Sequence, residues 1–451
     1  MKKNILRFIV YLSIFVLLVG GIGTIGANRS RADWLSVRDA PTPALEEVKI
    51  PTYDPDKPTV AVLLGNPLTE VFDFMVPYEM FAMTELYNVF AVAPDNNVKS
   101  LTGGLEIVPH YSFEEMDDLL GRSPDLIVVP YMPMSNQEKY RPVREWLQRH
   151  AKTNIVSICS GSRNLADAGL LHGKTSTAHW RMFGHSESTY PETNWVRDQR
   201  FVQDGNIVSS AGLTSGIDAV LYVISKQFGE TAAENVAREM NYPSYHFVKN
   251  PTVKPYYIDL TEGIYYLNLA FQVSKEKIGV LLYDGMEEGA LASVFDTFSP
   301  LGTAKVITIS DSTRPIRTKY KLNLIARHQS FDAPSIDQLF VTGKQAPTIS
   351  NKDITRWKEM NNAAEPEFIH SEIPDRFVFD STLEELARQE GYLTARWVAK
   401  RLEYRADHLK LEGTPLAAEP FLYLMFLGTI ALLLAMFIDR RFIIKKGKVI
   451  T

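Results

Sequence analysis

Apolar and polar positions fall into blocks along this chain, and the blocks predict an α/β protein held between two membrane-length segments. Residues 8–27 are 20 uncharged, mostly apolar residues, and 421–438 are a second such run of 18. Each has about the length needed to cross a bilayer as a helix. Between them, 59–65, 89–93, 125–130 and 155–158 are continuous apolar, β-branched runs, the form of strands buried on both faces. Helical spacing marks 71–86, 141–152, 214–228 and 230–240, and 207–212 reads as a short strand and turn. Strands that alternate with helices predict a mainly parallel sheet covered on both sides. Residues 28–58 are polar, hold five prolines and have no sustained period, so they read as a linker.

The pattern then partly repeats. Residues 277–283 mirror the opening strand, displaced by 218 positions, and a helix over 384–402 echoes the closing helix at a displacement of 162. The second copy is shorter by 56 residues, and the loss falls where the first copy carries 155–169 and the segment after it. The expected organisation is a membrane helix at 8–27, a linker at 28–58, a first α/β domain at 59–247, a degenerate second domain at 276–405 and a membrane helix at 421–438.

Charge sets the orientation. Lys2, Lys3 and Arg7 precede the first apolar run, and Arg440, Arg441, Lys445, Lys446 and Lys448 follow the second. The excess of cations at cytoplasmic flanks puts both termini in the cytoplasm and the bulk of the chain outside it. The flank 24–28 is a poor cleavage site, which favours an uncleaved anchor over a signal peptide. The remainder has 40 basic and 51 acidic residues, a net of −11 that suits neither nucleic acid nor anionic lipid. Gly21, Gly23 and Gly26 match the GxGxxG spacing but follow no strand, so they carry no nucleotide-binding signal. One cysteine and nine scattered histidines give no basis for a disulfide framework or a metal site, and no cofactor is expected.

That single cysteine, Cys159, ends the run Ile155-Val156-Ser157-Ile158 and is followed by Ser160, Gly161 and a helix-like stretch. This is the sequence form of a nucleophile elbow, a strand turning sharply into a helix. A helix N-terminus beneath a thiol favours the thiolate. A small buried core residue is the competing reading.

Several segments in order resemble one family. They are Ile158-Cys159-Ser160-Gly161, Ala168-Gly169-Leu170-Leu171-His172-Gly173-Lys174, Thr177-Ala178-His179-Trp180, the upstream Asp73-(x)3-Pro77-x-Glu79, and Ser210-Ala211-Gly212-Leu213-Thr214-Ser215-Gly216-Ile217-Asp218. Together they closely resemble the DJ-1/PfpI family, and within it the isonitrile hydratase branch and the sensor domains of AraC-type regulators. The resemblance implies a flavodoxin-like parallel sheet sandwiched by helices, of the class I glutamine amidotransferase-like kind. It implies Cys159 as nucleophile, Asp73 as its acid/base partner and His179 as an accessory base or, equally, a structural histidine at an interface. Backbone N–H groups of Ser160 and Tyr131 would then form the oxyanion site. Two departures stand out. Tyr131-Met132 replaces the Gly-Gly of many members, and no histidine follows Cys159, which removes the peptidase-like reading. In the second domain Asp73 is matched by Ala290 or Leu291, so that domain is expected to be silent.

The favoured function is therefore a membrane-anchored, thiol-dependent hydrolase, hydratase or lyase acting on a small molecule. The alternative is a ligand- or redox-sensing ectodomain without turnover. A transcription regulator, suggested by a faint helix-turn-helix look around Gly391, is the weakest reading given the acidic charge. A homodimer and an internal pairing of the two domains both remain open.

Overall fold

The structure, a computed structural model, describes residues 2–38, 47–312, 314–360 and 364–444. The N-terminal helix α1 (Lys3–Trp34) takes a π-helical turn at Val16–Gly20. The first α/β unit follows as β1 (Thr59–Leu63), β2 (Leu68–Thr69), α2 (Val71–Met83), β3 (Asn88–Ala93), β4 (Lys99–Leu101), β5 (Glu106–Val108), β6 (Tyr111–Ser112), β7 (Leu126–Val129) and β8 (Asn154–Ser157). It continues with α3 (Gly161–Asp167), β9 (Phe201–Asp204), β10 (Ile207–Ser210), α4 (Leu213–Phe228) and α5 (Glu230–Glu239). Helix α6 (Glu262–Phe271) leads to the second unit: β11 (Glu276–Leu281), α7 (Glu288–Phe298), β12 (Ala304–Ile309), β13 (Ile316–Arg317), β14 (Asn323–Ile325), β15 (Gln338–Val341), β16 (Pro366–Phe368), α8 (Val378–Glu390) and α9 (Tyr392–Arg401). The last helix, α10 (Ala418–Ile443), is the second one long and apolar enough to cross a membrane.

The first sheet has the order β9-β10-β8-β7-β1-β3-β6, parallel apart from the β9–β10 pair. The second keeps only the middle of that arrangement, β12-β11-β15-β16, all parallel. Short strands of both units join in a third sheet, β13-β14-β5-β4-β2. Here β5 and β14 run antiparallel with Ile107 opposite Leu324, and both β4–β5 pairs recur 217 positions later as the β13–β14 pairs. A local two-fold axis therefore passes through the Ile107–Leu324 pair. The units pack α2 on α7 across this axis and share one apolar core, to which Phe72, Phe295, Phe298 and Phe379 all belong. Phe72 and Phe379 stack at 4.8 Å.

Register carries the equivalence to single residues. Val60 pairs with Leu126, and its mate Ile278 pairs with Gln338. Val129 then pairs with Ser157, and Val341 with Phe368. His370, two residues past Phe368, thus stands where Cys159 stands in the first unit. The second unit passes from β16 to α8 without counterparts of α3, β9 and β10.

Two expectations change. The linker over 28–58 begins as helix, because the last turns of α1 have partners on the second unit: Ser30 Oγ donates to the Leu269 carbonyl at 3.0 Å, and Asp33 pairs with Lys275 at 2.7 Å. Residues 39–46 of that span lie outside the described residues, as do Lys445, Lys446 and Lys448. The single helix over 384–402 is two, parted at Gly391 with φ 92°. Gly229 parts α4 from α5 with φ 89°, so the α8–α9 corner is the mate of an α/β-unit corner.

Helices α1 and α10 lie antiparallel. Arg7 near the start of the chain pairs with Asp439 near its end at 2.8 Å, while Gln272 beside α6 donates to Glu419 at the start of α10 at 2.9 Å. Arg7 and Asp439 thus lie at one end of the hairpin and the two α/β units at the other.

Candidate functional site

Cys159 leaves the carboxyl end of β8 in the left-handed region, with φ 56°. That conformation costs a non-glycine residue of the order of 1 kcal/mol or more and persists only where the surroundings enforce it. The surroundings are specific. Cys159 N–H donates to Ser210 Oγ (3.3 Å), Ser210 Oγ donates to the Ser157 carbonyl (3.2 Å), and Ser162 Oγ donates to the Cys159 carbonyl (3.2 Å). Gly161 starts α3 so close over β7 that a Cβ there would lie 2.1 Å from the Val129 carbonyl oxygen. Gly161→Ala is accordingly expected to cost about 1–3 kcal/mol by displacing α3 from the sheet. Chemical denaturation of the variant checks this, and an unchanged midpoint would contradict the close approach.

Asp73 is the third residue of α2. The side chain of Glu70 caps this helix by accepting the Asp73 N–H at 2.8 Å. The Asp73 carboxyl is fully buried. Its Oδ2 accepts the Tyr131 N–H at 3.2 Å, and its Oδ1 has no hydrogen-bond partner among the described residues. Burial, with Asp296 adding to it, holds Asp73 well above the usual carboxylate range, although the Tyr131 N–H works the other way. Glu70 is raised too, by burial and then by Asp296 and Asp73.

The second unit closes over these groups. Arg401, at the end of α9, reaches Asp296 at 2.8 Å and lies 3.6 Å from Glu70. Glu403 has φ 53° and accepts the Gly212 N–H (2.9 Å) and the Ser215 hydroxyl (2.6 Å). Cys159 is only 7% exposed beneath this cover. Burial, then Asp73 and Glu70, push its thiol well above the ordinary value, while the Ser160 backbone N–H pulls the other way. The thiolate expected from a helix N-terminus is thus overturned, since desolvation beside carboxyl groups outweighs one N–H contact.

Two expected roles do not fit. The Tyr131 N–H is bound to Asp73 and is not free to meet an oxyanion, because the chain at 131 passes directly over the N-terminal turn of α2; the Glu70 N–H donates to the Tyr131 carbonyl at 2.9 Å. His179 faces away from shuttle chemistry. Its Nε2 is 2.9 Å from the Arg401 carbonyl, and burial lowers its pKa to about 3, so it is a neutral donor at the interface between the units. Among the described residues no hydrogen bond joins it to Cys159. Ser160 does place its N–H at the thiol.

Sequence reasoning missed Glu70, Asp296, Arg401 and Glu403. The repeat held the one usable signal: Arg401 lies 162 positions after Glu239, a reversal of charge at matched places. In the second unit the cap is Glu287, which makes Ala290 the match for Asp73. His370 replaces the cysteine, with Nδ1 accepting the Gly343 N–H at 3.2 Å.

The description "DJ-1/PfpI family" matches residues 58–226. The chain is 29% identical over 180 residues to an isonitrile hydratase of Pseudomonas putida, covering 39% of this chain and 75% of that protein. It is 33% identical over 97 residues to the HTH-type transcriptional regulator CdhR of Pseudomonas aeruginosa, covering 21% of this chain and 29% of that one. Among solved structures, a DJ-1 superfamily protein from Salmonella typhimurium aligns with TM-score 0.37 and 24% identity, over 41% of this chain and 99% of that one. Residues 58–226 of this chain form a DJ-1/PfpI family domain.

Proposed function

We propose that the chain is a membrane-anchored sensing protein, with its α/β units outside the cytoplasm and Cys159 as the group that responds to a ligand or to oxidation. The observation that carries this reading is the cover over Cys159. A thiol in a left-handed turn, kept protonated beneath Arg401 and Glu403, is at rest. Steady turnover calls for an accessible thiolate, a base and free oxyanion donors. The left-handed turn acts as a nucleophile elbow only when the second unit withdraws. Antiparallel α1 and α10, with cations at their shared outer end, support a two-pass anchor with both termini in the cytoplasm. The packing of Gly26 against Ala270 supports an uncleaved first helix.

Alkylation of Cys159 tests the reading. At pH 8 the full-length chain should react at least about a hundredfold more slowly than a free thiol, and Glu403→Ala should accelerate it by about tenfold through easier local opening. A wild-type rate equal to that of free cysteine would sink the proposal. A reporter fused after Thr451 should be active only in its cytoplasmic form.

Turnover of a small molecule is the second reading, favoured by the similarity to isonitrile hydratase and by the buried Asp73 carboxyl, whose Oδ1 has no hydrogen-bond partner among the described residues. Isonitriles, α-oxoaldehydes and small amides are the compounds to screen. Turnover lost in both Cys159→Ala and Asp73→Ala would displace the sensing reading.

A further inference from the structure

A cleft of about 700 Å³ opens on the second unit, between β13, the segment at 47–49 and the turn at 284–285. Five cations line it, Lys49, Arg314, Arg317, Lys319 and Lys321, against two carboxylates, Glu47 and Asp284. Arg314 is paired with Asp284 and lies 3.9 Å from Glu47, and Lys319 lies 3.5 Å from both Glu287 and Glu239. Among the described residues, no carboxylate lies within 4.0 Å of the side-chain nitrogens of Lys49, Arg317 or Lys321. Arg317 Nε is in addition buried without a hydrogen-bond partner. A basic hollow of this kind is out of keeping with a region whose net charge is −11.

The two-fold axis supplies a comparison within the chain. The register that matches Arg317 to Ser100 also matches Asn323 to Glu106. In the first unit Glu106 accepts from Arg327 at 2.8 Å and pairs with Arg38, while Ser100 Oγ accepts the Arg38 N–H at 3.0 Å, so that surface is filled by the protein's own ion pairs. In the second unit the acid is replaced by Asn323, which exchanges hydrogen bonds with the backbone of Lys49 at 3.3 and 3.0 Å. Arg317 thus stands where the first unit has Ser100, and the carboxylate of Glu106 has no counterpart beside it.

We propose that this cleft binds a small oxyanion with two or more negative charges, a phosphorylated or polycarboxylate molecule, held by Arg317, Lys321 and Lys49. A guanidinium fork and two ammonium groups meet such oxygens with charge-assisted hydrogen bonds. The volume falls within the range of small-molecule sites. The site is separate from Cys159 and does not depend on what that residue does.

The test is calorimetric titration of the detergent-solubilised full-length chain with pyrophosphate and with citrate at fixed ionic strength. Saturable binding of either is expected, and which one binds tells phosphate from carboxylate. Lys49→Gln/Lys321→Gln, which alters exposed side chains only, should weaken it about tenfold, Arg317→Gln should do the same, and Cys159→Ser should leave it unchanged. Absence of binding by both anions, or a double variant within about twofold of wild type, would overturn the proposal.

Discussion

Replacing Arg401 by methionine is expected to cost about 3–5 kcal/mol of stability, and more at pH 8 than at pH 5. Arg401 is 6% exposed and is the cation set between Asp296 and Glu70, with the thiol of Cys159 within its field. Methionine fills much of the volume but leaves these groups without a counter-charge. They can stay buried only by holding protons, so the penalty grows as the solution becomes more alkaline. Chemical denaturation of the solubilised chain at the two pH values measures it. Adding Asp296→Asn to Arg401→Met should recover a large part of the loss at pH 8. Equal losses at both pH values, or no recovery in the double variant, would show that Arg401 matters for packing rather than charge.

The second large effect is expected from Glu288→Gln. Glu288 is fully buried at the start of α7, where its Oε1 accepts the Thr318 hydroxyl (2.5 Å) and the Tyr320 N–H (2.9 Å) and its Oε2 has no partner among the described residues. Burial raises its pKa from 4.5 to about 7, and the nearby Glu79 is raised well above its ordinary value by burial and by Glu288 itself. The folded carboxyl keeps its proton through a range in which the unfolded one has lost it. Its contribution is therefore complete below pH 4.5 and disappears as the pH rises through about 7. A shift of that size corresponds to about 3 kcal/mol. The glutamine variant should match wild type near pH 4.5 and exceed it at pH 8 by up to about 3 kcal/mol. A parallel pair of stability–pH curves would rule this account out.

The central strands were legible because each is a run of β-branched residues buried on both faces: Thr59–Leu63, Leu126–Val129 and Asn154–Ser157 fall within one or two residues of the expected runs. Helices α4 and α5 followed from their spacing. The strands of the third sheet are two or three residues long and have no period to detect, so the sheet that joins the two units left no pattern. Cys159 and Asp73 could be singled out by local motif order. Arg401 and Glu403 could not, since their partners Glu70 and Gly212 are distant in the chain and the contacts depend on how the units meet. The same holds for Tyr131: it stood out as a departure from Gly-Gly, but its N–H, which any residue other than proline would carry, is what binds Asp73.

The two-fold-related halves belong to one polypeptide, which has a bearing on how the protein behaves at different abundances. Two separate subunits meeting at a β5–β14 type of interface would part on dilution, and an idle site at their junction would open in sparsely populated membranes. A covalent tether sets the local concentration of each half around the other on the order of millimolar whatever the copy number. The cover over Cys159 is thus insulated from expression level, and what opens it must act on the individual molecule.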